Sequence, residues 1–128
     1  MRNQDDVLGA FEAAQSQHPD ALIVVEDPLT VSTRKLIVDG AARHQLPAMY
    51  GLREFAAVGG FISYGANLVD LYRRAAGYVD RIFKGAKPAE LPVQQQSTFE
   101  LIINLRVAKA LGIDVPPTLL ARADEVIE

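Results

Sequence analysis

No cysteine occurs among the 128 residues, which excludes disulfides and thiolate metal sites and leaves the redox compartment undecided. Histidine is nearly as scarce. His18 lies in the turn-like stretch QSQHPD, and His44 ends a predicted helix where positive charge suits the dipole. Neither has a carboxylate or a second histidine at ligand spacing, so no metal site is expected from them. A surplus of one charge is also missing: 13 Lys and Arg stand against 16 Asp and Glu, with no long run of either sign. That balance excludes a nucleic-acid-binding or polybasic membrane surface. No window holds the roughly 18 apolar residues that a membrane span needs. The opening MRNQDDVLGAFEAAQ has no apolar stretch of signal-peptide length, so the chain reads as soluble and without its own export signal. Glycines form neither a GxGxxG fingerprint nor a phosphate loop, and GGFISYG reads as strand. No serine sits in a nucleophile elbow and no histidine is placed to serve as its base, so catalysis is not expected.

What is present fits one α/β domain spanning residues 1–128. Val7, Leu8, Phe11 and Ala14 recur at helical spacing over residues 4–17, and HPD ends that helix. Residues 21–26 form an unbroken apolar run into Glu26, the pattern of a central strand covered on both faces of a parallel sheet. Ile23 and Val25 are therefore expected to be buried. Thr30 or Ser32 can cap a helix carrying Leu36, Ile37, Gly40 and Ala41. PAMY, residues 47–50, reads as a second strand, LREFAAVGG as a short helix, and FISYG as a third strand. Asn67, with Asp70 three positions on, opens the clearest helix, which places Leu68, Leu71, Tyr72, Ala75, Val79, Ile82 and Phe83 on one face. FELIINL is a further strand, RVAKALG a short helix, and PPTLLARADEVIE a helical turn that finishes in a few extended residues. Alternation of this kind predicts an open, mainly parallel sheet with helices on both faces.

The acidic pair in ALIVVEDPLT needs an explanation. In an open parallel sheet, ligands bind beyond the carboxyl ends of the strands. Glu26 and Asp27 occupy such an end, and Tyr50 and Tyr64 end the next two strands, a set that suits a small zwitterion or an aromatic ligand. The plainer reading is that Asp27 caps the following helical turn and the tyrosines close the sheet edge. A response-regulator receiver also places an acidic pair after an LIVVED strand, and GAKP would supply Lys87 and Pro88. That reading fails because Asp70 falls inside a helix and a helix precedes the acidic strand.

From DALIVVEDPLT to the end, the chain resembles the ABC-transporter substrate-binding proteins of the tryptophan/tyrosine type. LPAMYGLREFAAVGGFISYGANLVDLYRRAAGYVDRIFKGAKPAELPV and FELIINLRVAKALGIDVPPTLLARADEVIE carry the resemblance. It implies the carboxyl-terminal part of a two-lobe, type I periplasmic-binding-protein-like receptor. Such a receptor is periplasmic or membrane-anchored and delivers an amino-acid-like or aromatic solute to an ABC permease, without catalysis and without a cofactor. By that resemblance Asp27 matches the carboxylate that holds an α-ammonium, and Tyr50, Glu54 and Tyr64 lie on the same side of the cleft. Ser63, Gly65 and Asn67 belong to the segment that passes between the lobes. Family members are more than twice this length, so the helix opened by Asn67 is expected to lack cover, and a homodimer is the expected remedy. The alternative is a free-standing α/β interaction module with no small-molecule ligand.

Overall fold

A computed structural model describes residues 4–128. Helix α1, Gln4–Ser16, begins with Asp5 and Asp6 against the positive end of its dipole. Val7 and Phe11, one turn apart, are its buried residues. The Phe11 ring stacks on His44 at 5.5 Å and lies over Gly40, where a Cβ would come within 2.5 Å of it. Strand β1, Leu22–Val24, leads to α2, Pro28–Ser32, and α3, Arg34–Arg43. Asp27 caps α2, with Thr30 completing a reciprocal box, whereas Thr33 precedes α3 without a side-chain cap. The cap thus comes three residues earlier than Thr30, because Pro28 takes the first helical position, where its missing N–H costs nothing. Ile37, Gly40 and Ala41 are buried, as their spacing predicts.

Strand β2, Ala48–Tyr50, is followed by α4, Arg53–Ala57, then β3, Ile62–Ala66, and the sixteen-residue α5, Leu68–Phe83. A 3-10 turn at Pro88–Glu90 precedes β4, Phe99–Asn104. Helix α6, Leu105–Ala110, the single turn α7, Pro117–Leu120, and β5, Glu125–Ile127, complete the order. Gly59, Gly85 and Gly112 all take positive φ where helices stop, the conformation that costs glycine least.

The five strands form one sheet in the order β1-β2-β3-β4-β5, parallel throughout except that β3 and β4 run antiparallel. The sheet is open and mainly parallel, as expected. The central place expected for residues 21–26 is not observed. β1 is the terminal strand, and Ile23 and Val25 are 79% and 73% exposed. An unbroken apolar run marks a strand both of whose faces are suited to cover, but the cover must come from other elements. Among the described residues, only the face bearing Leu22 and Val24 receives it, from the core that α1 and α3 share.

That core joins Val7, Phe11, Ile37, Val38, Tyr50 and Phe55. Helix α5 stands apart: none of its residues is buried, and Tyr72 and Phe83 are 74% and 86% exposed.

Candidate functional site

Strands β1, β2 and β3 run parallel with Val24 beside Tyr50 and Tyr50 beside Ser63, so their carboxyl ends share one edge of the sheet. Antiparallel β4 begins at the same edge, with Glu100 beside Gly65 and Phe99 beside Ala66. Asp27, Glu54 and Tyr64 therefore gather along one rim through strand order alone.

At the first junction Asp27 Oδ1 accepts from the Thr30 amide at 2.7 Å, and Thr30 Oγ1 accepts from the Asp27 amide at 2.8 Å. The plainer reading of Asp27 as a helix cap holds, and the cap uses only Oδ1 of this exposed residue. Beside it the Glu26 carboxylate lies over Gly51, where a Cβ would sit 2.0 Å from Oε2. A Cβ on Gly65 would come within 1.7 Å of the Gly51 carbonyl oxygen, so β3 passes the end of β2 at a distance only glycine allows. The rim at this point is glycine backbone overlain by the Glu26 carboxylate.

The two tyrosines face opposite sides of the sheet. Tyr50 shares a face with its register partner Ser63, and side chains alternate along a strand, so Tyr64 points the other way. Tyr50 is 2% exposed, its ring stacks on Phe55 at 4.8 Å, and burial raises its hydroxyl pKa to about 12. It braces the rim from within the core. Tyr64 is half exposed and stacks on Phe99 at 5.6 Å, which presents a flat aromatic surface at the rim.

Glu54 occupies the first turn of α4 with its Oε2 buried and unpaired. Ser63 Oγ is likewise buried without a partner. A cavity of about 390 Å³ ends on Asp27 and Thr30, but its walls come mainly from α1 and from consecutive residues of β1. It runs alongside the outer strand rather than beyond the strand ends.

Sequence reasoning missed the polar links behind the rim. Arg53 bonds both Glu100 at 3.2 Å and Glu125 at 2.9 Å. Glu100 also accepts from Asn67 at 2.6 Å. Nothing in FELIINL marks Glu100 as a hub except that it is the one charge in an apolar strand.

A family model described as ABC transporter substrate binding protein matches residues 1–127. A conserved domain protein from Vibrio cholerae superposes with a TM-score of 0.89 at 26% identity, over 98% of this chain and 42% of that one. The ABC domain from Streptococcus pneumoniae, solved in complex with L-Trp, gives 0.88 at 28% identity, over 99% of this chain and 44% of that one. A substrate binding protein from Clostridium difficile, ligand-free and open, shares the fold at 20% identity with a TM-score of 0.65, over 94% of this chain and 41% of that one. The chain spans less than half the length of these structures. No curated protein matches it significantly.

Proposed function

The chain belongs to the ABC transporter substrate-binding protein family, and from that premise we propose that it forms part of a receptor recognising a small amino-acid-like or aromatic solute for uptake. The observation that carries this reading is the likeness, over 99% of the chain, to a Streptococcus domain solved with L-Trp. It is supported by a rim that offers carboxylates and one aromatic surface together. In this reading Asp27 Oδ2 meets the solute's ammonium group while Oδ1 goes on capping α2. Tyr64 provides a face for an aromatic or apolar side chain, Glu54 supplies a second acceptor, and Tyr50 holds the rim rigid from beneath. The receptor's chemistry is recognition, its partner is a membrane permease, and it works outside the cytoplasm.

Binding requires a second wall. One exposed ion pair contributes only about 0–1 kcal/mol, which cannot offset the several kcal/mol lost on immobilising a ligand. The 128 residues alone should therefore bind free amino acids weakly. The test is a thermal-shift screen of the full-length receptor against amino acids and aromatic acids, since a ligand that binds only the folded state must raise its melting temperature. Asp27→Asn keeps a capping oxygen and removes the charge, so it should leave the unliganded melting point in place and abolish the shift. An unchanged shift in Asp27→Asn would remove Asp27 from the site.

The second reading, an interaction module without a small-molecule ligand, is favoured by one observation: α5 carries a long exposed apolar stripe. In that case no solute shifts the melting point of the full-length protein.

A further inference from the structure

Helix α5 leaves the sheet through one residue. β3 ends at Ala66 and α5 begins at Leu68, so Asn67 alone, at φ −78 and ψ 106, forms the joint. The first turn holds the helix to the body, and farther along Tyr78 donates its hydroxyl to the Pro92 carbonyl at 2.6 Å in the segment that returns to β4. Leu68 packs against the core cluster, while the residues beyond it project with none buried. Sixteen residues make a lever of roughly 24 Å, so a rotation of about 10° at the joint moves its far end by about 4 Å.

Both ends of the Asn67 amide are engaged. Its Oδ1 accepts from the Asp70 backbone amide at 3.1 Å, and its Nδ2 donates to Glu100 Oε1 at 2.6 Å. The opposite amide orientation would set donor against donor at Asp70 and oxygen against carboxylate at Glu100, so the hydrogen-bonding requirement fixes the assignment. Glu100 Oε2 accepts from Arg53 Nη1 at 3.2 Å, and Arg53 Nη2 reaches Glu125 at 2.9 Å. The Arg53 pairs are partly exposed and contribute little to stability by themselves. The Asn67–Glu100 bond is charge-assisted and part-buried, which makes it the stiffest member of the chain.

We propose that Glu100 is a positioning residue that sets the direction in which α5 leaves the sheet, by locking Asn67 to β4 while Arg53 of α4 holds the other carboxylate oxygen in place. Arg53 adjoins Glu54 on the rim, so the relay also ties the geometry of the rim to the direction of α5. The proposal does not depend on the solute-binding reading, because its test measures a distance and uses no ligand.

The chain has no cysteine, so two introduced cysteines carry spin labels uniquely. Labels at Lys84, after α5, and Lys109, in α6, report the helix direction; labels at Arg43 and Lys109 report the body. Labelled chain is diluted into excess unlabelled chain. The parent should give one narrow Lys84–Lys109 distance. Glu100→Ala should broaden it about twofold, as a freed lever requires, with the Arg43–Lys109 distance unchanged. Asn67→Asp keeps the helix cap but turns the donor toward Glu100 into an acceptor, and it should broaden the distance as well. Combining Asn67→Asp with Glu100→Gln rebuilds the bond with reversed polarity and should restore the narrow distance. Glu125→Gln, which leaves the Asn67–Glu100 bond intact, should stay narrow. A narrow distance in Asn67→Asp, failure of the double variant to restore it, or broadening in Glu125→Gln equal to that in Glu100→Ala would each overturn the proposal. Should Glu100→Ala fail to fold, the Asn67→Asp pair decides alone.

Discussion

Gly51 and Gly65 sit side by side on the rim, yet an added methyl group meets different neighbours at each. At Gly65 the obstacle is the backbone carbonyl of Gly51 at 1.7 Å, and at Gly51 it is the carboxylate tip of Glu26 at 2.0 Å. Backbone in a sheet cannot yield, whereas an exposed glutamate can rotate away. Gly65→Ala should therefore lower stability by about 2–3 kcal/mol, and Gly51→Ala should change it by less than about 1 kcal/mol; urea denaturation measures both. Tyr50 gives a second prediction at this scale. Burial raises its pKa from 10.0 to about 12 in the folded chain. Between those values the unfolded chain releases the proton and the folded chain retains it, so stability falls as pH rises from 10 to 12. The loss reaches about 2–3 kcal/mol, and it should be absent from Tyr50→Phe when the two proteins are unfolded in parallel across that range.

Among the elements, α2 shows how a carboxylate serves two purposes. Asp27 and Thr30 form a reciprocal cap on a five-residue helix too short to stand without it. Asp27→Ala should cost about 1 kcal/mol and Asp27→Asn almost nothing, read from thermal unfolding. This difference separates a capping role from charge recognition before any ligand is added. Helix α5 has a single side-chain cap bond, from the Asp70 amide to Asn67, and it has no buried residue. Ion pairs within the helix, Arg74 with Asp70 at 2.9 Å and Lys84 with Asp80 at 2.8 Å, add only a few tenths of a kcal/mol each. Such a helix is stable in water only when its apolar face is covered.

For the whole molecule, that face decides the state of the chain in solution. Tyr72, Val79, Ile82 and Phe83 lie exposed along it, beyond the half-buried Leu68 and Leu71. At about 25 cal/mol per Å² of apolar area, leaving it wet costs several kcal/mol, comparable to the stability of a domain. A second copy is the simplest cover for the 128 residues, and light scattering at micromolar concentration should return a dimer. Tyr72→Glu with Phe83→Glu should convert it to monomer, with a loss of far-ultraviolet helix signal no larger than the sixteen residues of α5 account for. A monomeric parent chain would refute the dimer.

Local chemistry made much of this chain legible before any coordinates. The 3.6-residue spacing of Val7 and Phe11, the Asn67 cap and the glycine stops at Gly59, Gly85 and Gly112 each depend on neighbours a few positions away, so the sequence carries them directly. Alternating strands and helices likewise determined an open, mainly parallel sheet, since short crossovers permit little else. Tertiary structure alone decided the rest. Whether residues 21–26 lie at the centre or the edge depends on which strands exist to pair with them, and no property of Ile23 or Val25 encodes that. The side of the sheet that Tyr50 faces follows from its register with Ser63, a long-range relation that buried a ring expected at the cleft. Glu100 and Arg53, 47 positions apart, meet only because antiparallel β4 starts where α4 begins, and a polar network assembled across the sheet leaves no periodic trace in the chain.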